Sequence, residues 1–511
     1  MTTPASTPPS TLSRWLAGAW LWMILAALLA ARPLIHLKLF PDTRDYIELA
    51  AHLAAGDGFV TNVVDRDTMA LPDPRLHHPP VYSLLVAACL KLGLSMPAAL
   101  KAVAILSFLV AAFLAGRIGR HLGGAAGASL AIPAFLLVAA LTEGWNHAMS
   151  EAPFVALVAA FFVVMIPAAG QEKAASWRLF LGGVLAGLAM LTRFMGATLI
   201  IGLGVFFFWE IIRRRERRVL LSRAGAFLLC LAGWAVAALP WFVHYYLLTH
   251  RVTGRVTAAS IVPFYRNLVG LVRSPLLDLA PVIAFVLAII LLARPARRAL
   301  NAALGRIAPG FSLCLVWVIC YFSVLLGMAA VAYVDPIGTR LTHPAYVVLA
   351  PLLVAFALLW WEADRSSAPE LSTGGLSLLA LLLVAIVVFQ AGNAFRTLGE
   401  DPPVYDNDLT RWVSANTPAG SLILNPAHLP ILVPPATGRY IYVRSFVTDY
   451  DVEGLRGFLG RFAPRLTAVY LLTPAEIPSD VIASYLEIGL RPEPVPSGTG
   501  FRAYRMLGEK P

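Results

Sequence analysis

The sequence predicts a polytopic α-helical membrane protein of about eleven transmembrane helices, with a small C-terminal extracytoplasmic α/β domain. Composition is the first observation behind this fold class. Of the 511 residues, 59% are hydrophobic and 14% are charged, against about 25% charged residues in soluble domains, and the mean hydropathy is +0.73. The second observation is that the apolar residues form runs of nearly the roughly 20 residues that a spanning helix needs. The third is that these runs stop before a final segment of soluble composition.

The apolar runs predict spanning helices joined by short polar loops. The first run could instead be a signal peptide, because a short basic N-terminus precedes it and small residues follow it. Its apolar stretch is long for that purpose, so we expect a span. The predicted spans lie near residues 15–35, 97–117, 123–142, 151–168, 176–192, 195–212, 222–247, 276–293, 309–330, 344–361 and 373–391.

Arginine placement predicts the orientation of these spans. Arginines cluster beside apolar runs within 117–120, 213–218 and 294–298. Basic residues in short loops mark the cytoplasmic side. Placing all three clusters there also places the N-terminal tail, residues 1–14, in the cytoplasm. The net charge of +11 is therefore read as membrane orientation, and we expect no nucleic-acid partner.

One apolar segment, residues 79–94, tests this orientation. Were it a span, every arginine cluster would lie outside, so the sequence predicts a helix along the outer membrane surface. The helical module then covers 15–391, and its first external loop covers 36–96. Residues 392–511 form the soluble domain on the same outer side.

The final segment reads as a small α/β domain. Its loop Asn425–Pro435 could contact a substrate or simply connect two elements. The predicted strands are Leu422–Leu424, Tyr440–Val443, Val469–Leu472 and Phe501–Met506, and the predicted helices are Asp408–Asn416 and Ser479–Leu490.

The first external loop holds the residues with the clearest chemical pattern. It contains Pro41-Asp42-Thr43-Arg44-Asp45-Tyr46 and later His77-His78-Pro79-Pro80. Asp42 and Tyr46 are four residues apart and share one face of a helix. A carboxylate there could act in catalysis, although Asp42 after Pro41 is also a favourable helix cap.

This pattern resembles the GT-C superfamily of membrane glycosyltransferases. The resemblance is to the bacterial branch related to protein mannosyltransferases, ArnT-type aminoarabinose transferases and Rgt-type lipopolysaccharide transferases. It rests on Asp-x-x-x-Tyr shortly after the first span and on a basic residue before Pro-Pro. Further matching pieces are Leu191-Thr192-Arg193, Leu239-Pro240-Trp241, Arg340-Leu341-Thr342-His343-Pro344 and Trp412 with Asn416-Thr417-Pro418.

The resemblance implies inverting sugar transfer from a polyprenyl-phosphate donor. It makes Asp42 the catalytic carboxylate that activates the acceptor. No cofactor is implied with certainty, although a divalent metal could share the task of Asp42. Where the ArnT-like pattern has Lys before Pro-Pro, this chain has His78. The residues expected to bind the donor phosphate are Arg193, Arg340, His78 and Arg44, and further substrate contacts are expected from Asp45, Tyr46 and Glu151.

Structural explanations stand beside these roles. Arginines at helix ends often extend to the membrane interface, and Glu151 after Ser150 could cap a helix or meet its dipole. Arg193 differs because it lies in a tight turn between apolar spans, where a cation without a partner is costly.

Three other classes of membrane protein compete with this reading. They are a transporter or lipid flippase, a polysaccharide ligase or polymerase, and a non-catalytic sensor or scaffold. Transporters place ionisable residues near the bilayer midplane, whereas charges here, such as Glu210 and Asp278, lie near span ends. The expected partners are membrane lipids, the lipid-phosphate sugar and an undetermined acceptor (lipid A, polysaccharide, protein or another lipid). The expected location is the bacterial plasma membrane.

Overall fold

The structure is a computed structural model of the full chain. It describes residues 23–24, 26–27, 41–64, 70–74, 76, 78–138, 148–171, 174–250, 264–280, 282–284, 286–287, 309–331, 337, 339–364, 408–424, 439–442, 452–473, 476, 479–497 and 501–508.

Helices dominate the described residues up to 364. Six of these helices are long and apolar enough to cross a membrane: α3, α4, α6, α7, α9 and α11 in the numbering that follows. The helices are α1 (Pro41–Ala55), α2 (Val81–Lys91), α3 (Met96–Leu136), α4 (Glu151–Ala169), α5 (Ser176–Met190), α6 (Ala197–Arg214), α7 (Arg217–Thr249), α8 (Phe264–Asp278), α9 (Pro309–Val331), α10 (Thr339–Thr342) and α11 (Tyr346–Asp364).

Helix α3 is a hairpin of two helical halves. The backbone leaves helical geometry at Gly123 and Gly124, and Gly124 has φ 64°, which glycine adopts without steric cost. The halves then touch, since a Cβ added at Gly119 would lie 2.3 Å from the Gly127 carbonyl oxygen. The hairpin accounts for the two spans predicted at 97–117 and 123–142.

Helices also lie at the predicted spans from 151–168 to 222–247, and at 309–330 and 344–361. The described residues within 276–287 are mostly helical as well, but α8 begins at Phe264, twelve residues before the predicted span. The predicted span 373–391 lies outside the described residues, as does most of 15–35.

The bundle has a buried core and an apolar exterior. Phe162, Phe206 and Trp317 are among its largest fully buried side chains. On α7, by contrast, Leu228 is 64% exposed and Leu247 is 69% exposed. An apolar exterior of this extent is costly in water and expected in lipid.

A buried ion pair joins three helices at the end of the bundle where α6 finishes. Arg223 Nε lies 2.7 Å from Glu210 Oε2, and both side chains are 5% exposed. The same guanidinium donates to the carbonyl oxygens of Gln171, at 3.1 Å, and Ala169, at 3.1 Å. It therefore satisfies carbonyl groups that helix α4 leaves unpaired at its C-terminus.

The C-terminal segment forms an α/β unit, and the first loop contributes one of its strands. The sheet has six strands in the order β1-β3-β2-β4-β6-β5, where β1 is Val63–Val64 of the loop. The other elements are α12 (Asp408–Asn416), β2 (Leu422–Leu424), β3 (Tyr440–Tyr442), α13 (Val452–Phe462), β4 (Val469–Thr473), α14 (Ser479–Glu487), β5 (Leu490–Val495) and β6 (Arg502–Gly508).

Strands β1 to β4 are parallel, and β6 and β5 complete the sheet antiparallel. Three C-terminal elements differ from the prediction. Helix α14 ends at Glu487 rather than Leu490, because Gly489, with φ 75°, turns the chain into a strand that was not predicted. Helix α13 was also not predicted. The loop Asn425–Pro435 lies outside the described residues.

The pairing of β1 constrains the topology of the chain. Val63 pairs with Ile441 and Val64 pairs with Tyr442. Val63 packs in the core on one face of the sheet, and Val64 packs in the core on the other face. The first loop and the C-terminal unit therefore lie on the same side of any membrane that the bundle crosses.

Candidate active site

Helix α1 carries the residues of the first predicted motif. Pro41 suits the first turn of a helix because its missing N–H needs no partner there. Tyr46, Ile47 and Ala50 are buried in a cluster with residues of α2 and the start of α3. Asp42 lies in the first helical turn, one turn before Tyr46. The side chain of Asp42 lies outside the described part of the structure.

Tyr46 connects the loop to the membrane bundle. Its ring stacks on His78 at a centroid distance of 4.7 Å and meets Tyr82 edge-on at 5.0 Å. Its hydroxyl lies 2.8 Å from Ser150 Oγ, and its carbonyl oxygen accepts a hydrogen bond from Ser83 Oγ at 3.0 Å. His78, Tyr82 and Ser150 thus fix the ring and hydroxyl of Tyr46, and Ser83 fixes its backbone.

Arg193 and Glu151 form an ion pair beneath Tyr46. Arg193 Nη1 lies 2.7 Å from Glu151 Oε1, with the Arg193 side chain 19% exposed and that of Glu151 1% exposed. The same Nη1 donates to Ser150 Oγ at 3.2 Å. The turn that presents Arg193 requires a glycine at Gly196, since a Cβ there would lie 2.2 Å from the Met190 nitrogen.

The turn before Arg193 is bonded to α2. The Val81 amide donates to the Leu191 carbonyl oxygen at 2.9 Å. The predicted helix at 79–94 is observed as α2, and its first turn sits directly on the turn that carries Arg193. Leu84, Leu85 and Leu92 of this region are exposed, as expected for a helix beside the membrane surface.

Asp45 lies between two of the predicted cations. Arg44 Nε is 3.6 Å from Asp45 Oδ1, and His78 Nε2 is 3.9 Å from Asp45 Oδ2. Both distances are longer than those of direct hydrogen bonds. With Arg193 and Glu151, they make a cluster of mixed charge that can bind an anionic group and position a polar one.

A late segment of the chain closes the site. Tyr321 OH donates to the Leu341 carbonyl oxygen at 2.7 Å and lies within electrostatic range of Arg193 and Glu151. Residue Arg340 of α10 directly precedes this contact. Its backbone therefore approaches the cluster, and its side chain lies outside the described residues.

Most of the predicted site residues thus meet in one place, although they come from distant parts of the sequence. No trio of His, Cys, Asp or Glu that could hold a metal ion occurs among the described residues. The residues brought together are Arg44, Asp45, Tyr46, His78, Glu151 and Arg193.

Sequence reasoning missed Ser150 and Glu48. Ser150 looked like a helix cap before Glu151, yet it makes no side-chain capping bond and its hydroxyl faces Tyr46 and Arg193 instead. Glu48 is 1% exposed. Its position one turn after Arg44 and next to apolar Ile47 and Leu49 was the available signal.

Comparison with known proteins gives one family match in sequence. Residues 77–244 match the family described as dolichyl-phosphate-mannose-protein mannosyltransferase. This segment includes His78, Ser150, Glu151 and Arg193. No curated protein sequence matches the chain significantly.

Solved structures give a wider likeness. ArnT from Cupriavidus metallidurans in the apo state is 14% identical, with a TM-score of 0.62 over 97% of this chain and 98% of that one. The same protein bound to undecaprenyl phosphate gives a TM-score of 0.61, at 14% identity over 96% of this chain and 98% of that one.

Two other membrane proteins share the fold. Arabinofuranosyltransferase AftD from Mycobacteria is 14% identical, with a TM-score of 0.57 over 99% of this chain and 40% of that one. The oligosaccharyltransferase AglB from Archaeoglobus fulgidus, solved with an inhibitory peptide and a dolichol-phosphate, is 11% identical, with a TM-score of 0.53 over 90% of this chain and 70% of that one. The predicted resemblance is therefore confirmed at the level of the fold: this chain has the fold of the GT-C superfamily of membrane glycosyltransferases.

Proposed function

We propose that the protein is an inverting glycosyltransferase. It moves a sugar from a polyprenyl-phosphate donor to an acceptor on the extracytoplasmic face of the bacterial plasma membrane. The observation that carries the proposal is a cluster of polar side chains at one end of an apolar bundle, in which Tyr46 lies one turn after Asp42 on α1. Its members are Arg193, Glu151, Ser150, Tyr46 and His78.

The depth of this cluster suits a lipid phosphate. Arg193 precedes the N-terminus of α6, and the basic residues Arg213 and Arg214 end that helix. Because basic residues mark the cytoplasmic side, the end of α6 that carries Arg213 and Arg214 lies in the cytoplasm. Arg193, at the other end of the same helix, then lies at the outer membrane surface. About eleven spans then leave the N-terminus in the cytoplasm and the C-terminal unit outside.

The reaction needs one base and one anion site. The acceptor O–H or N–H attacks the anomeric carbon, forming the new bond from the face opposite the phosphate. The bond from that carbon to the phosphate oxygen breaks, and its electron pair leaves with the polyprenyl phosphate. Asp42 takes the acceptor proton. Arg193, Arg340, Arg44 and His78 stabilise the charge that develops on the phosphate.

The solved relatives support the donor class, since ArnT binds undecaprenyl phosphate and AglB binds a dolichol-phosphate. Asp45, Tyr46 and Glu151 hold the substrate or the cations around it. A divalent metal could share the task of activating the acceptor, with Asp42 as one of its ligands.

The test is a transfer assay with purified protein in lipid nanodiscs, using radiolabelled polyprenyl-phosphate hexoses and pentoses with candidate acceptors. We expect labelled product of inverted anomeric configuration and release of polyprenyl phosphate. Arg215→Ala, an exposed residue at the opposite end of α6, serves as the matched control and should retain activity. A product of retained configuration would contradict inversion. Movement of intact donor across reconstituted vesicles without transfer would instead identify a flippase.

A further inference from the structure

Glu48 is a buried carboxyl on α1, one helical turn after Arg44. It is 1% exposed. Its Oε2 accepts a hydrogen bond from the backbone amide of Asn62 at 2.9 Å and lies 3.4 Å from the hydroxyl of Thr61. Helix α1 is thereby bonded to a segment fourteen residues further along the chain.

That segment leads directly into the sheet. Thr61 exchanges two backbone hydrogen bonds of 2.8 Å with Asp73, and its hydroxyl accepts from the Val63 amide at 3.0 Å. The Asn62 carbonyl oxygen accepts from the Ile441 amide at 3.0 Å. Asn62 is therefore bonded to α1 through its amide and to β3 through its carbonyl group.

Burial favours the neutral, protonated form of Glu48. Burial raises its pKa to about 8, against the lowering influence of Arg44 and of its hydrogen bonds. Arg44 and Asp45 are the charged groups that influence it, and both belong to its own helix. A neutral carboxyl offers the Asn62 amide the same carbonyl acceptor that a glutamine would offer.

We infer that Glu48 is a positioning residue, which ties the site helix α1 to the C-terminal sheet through Thr61, Asn62 and β1. The inference rests on the proposed function, because α1 carries Asp42 and Tyr46. It assigns the C-terminal unit a part in the reaction: the unit holds one end of the loop that presents the catalytic carboxylate.

A different reading would make Glu48 an ionised partner of Arg44. The two readings predict opposite outcomes for Glu48→Gln. A neutral hydrogen-bond acceptor survives that substitution, whereas an anion does not. Glu48→Ala removes the acceptor under both readings.

The experiment compares full-length wild type, Glu48→Gln, Glu48→Ala and the exposed control Glu487→Ala. Hydrogen exchange of the amides in residues 61–64 measures how firmly Glu48 holds this segment. Transfer kinetics measure the effect of that contact on the reaction. Loss of a buried hydrogen bond should speed exchange in Glu48→Ala about tenfold. In the same variant kcat should fall by a similar factor while the donor KM changes little. Glu487→Ala should stay within about twofold of wild type at every pH, and Glu48→Gln should do so at the low end of a pH series, where wild-type Glu48 is protonated in both the folded and the unfolded state.

A pH series separates the tie from general packing. The Glu48 carboxyl has a higher pKa in the folded state than in the unfolded chain. Raising the pH from the ordinary carboxyl range towards about 8 therefore favours the state in which the hydrogen bonds of Glu48 are broken. The stability that these bonds give the wild-type protein falls over that pH range. The ratio of wild-type to Glu48→Gln exchange should therefore rise with pH, because glutamine does not titrate.

Wild-type exchange in Glu48→Ala would overturn the inference. So would equal loss of activity in Glu48→Gln and Glu48→Ala with normal exchange in the former, since that result assigns a charged role. If wild-type protein transferred no sugar, the proposed function would fail, and the exchange measurements alone would still decide whether Glu48 ties α1 to the sheet.

Discussion

Arg193 Nη1 contacts Glu151 Oε1 at 2.7 Å, although the two residues come from different helical segments of an apolar bundle. Ser150 binds the same nitrogen at 3.2 Å. The pair explains how a guanidinium can be kept at the membrane surface with only 19% of its side chain exposed. The same contact makes Glu151 the residue that orients Arg193. This explains its burial better than the capping role that the sequence also allowed.

Replacing Arg193 should weaken donor use. A charge-assisted hydrogen bond contributes about 1.5–3 kcal/mol, so Arg193→Ala should raise the donor KM about tenfold or more. Arg193→Lys should recover part of this loss, because a point charge cannot reproduce the two-pronged guanidinium contact. Arg340→Ala should behave like Arg193→Ala. Unchanged donor affinity in folded Arg193→Ala and Arg340→Ala protein would remove both arginines from the phosphate site.

The Tyr46–Ser150 hydrogen bond should couple the loop to the bundle. Tyr46→Phe and Ser150→Ala each remove one partner, and each should lower kcat/KM several-fold, since a neutral hydrogen bond contributes about 1 kcal/mol. In the double variant the combined loss should be smaller than the sum of the two, because both changes remove the Tyr46–Ser150 contact. Ser150→Ala should cost more than Tyr46→Phe, because it also removes the contact with Arg193. Full additivity in a double-mutant cycle would show that the hydroxyls act separately.

Topology follows from the pairing of β1 with β3. Cysteines introduced at Ala55, in the loop, and at Arg456, in the C-terminal unit, should react with a membrane-impermeant maleimide in intact cells. A cysteine at Glu216 should react only after permeabilisation, because the arginines around it mark the cytoplasm. Labelling that differed between Ala55 and Arg456 would contradict the shared sheet. Labelling of Glu216 in intact cells would reverse the orientation.

The buried pair of Glu210 and Arg223 should serve stability rather than activity. Breaking a buried pair costs about 3–5 kcal/mol, so Arg223→Ala and Glu210→Ala should each lower the apparent Tm in detergent. The loss in Arg223→Ala should be the smaller where Arg214, 3.8 Å from Glu210 Oε1, replaces part of the lost contact. Replacing both with Met should restore much of the loss, since an apolar pair carries no such penalty. A double variant as unstable as Arg223→Ala would indicate that the bonds from Arg223 to the α4 carbonyl oxygens dominate.

The sequence was most informative where a short pattern reflects local chemistry. Apolar runs predicted the helices, and the tight turn at Arg193 indicated a cation that needs a partner, which Glu151 provides. The role of Arg193 in donor binding stays a prediction. The Glu151–Arg193 pair could not be predicted, because it joins residues 42 positions apart through the packing of α4 against α5. Strand β1 was missed because two residues are too short for an alternating pattern. Its partner β3 lies more than 370 residues away, so only the folded chain brings them together.

Asp42 is the residue on which the mechanism depends, and Asp42→Asn tests it most directly. Asp42 lies inside the first turn of α1 rather than at the cap that the sequence allowed, where loss of its charge costs about 0.3–1 kcal/mol against the helix dipole, so folding and membrane abundance should be nearly unchanged. If Asp42 is the base, transfer should fall by about 10²–10⁴-fold while donor binding persists. Asp57→Asn is the matched control, because Asp57 follows the end of the same helix, its side chain is 55% exposed and its partner is His52. Near-normal turnover by Asp42→Asn would contradict the account and leave Asp45 and Glu151 as the remaining carboxylates of the site.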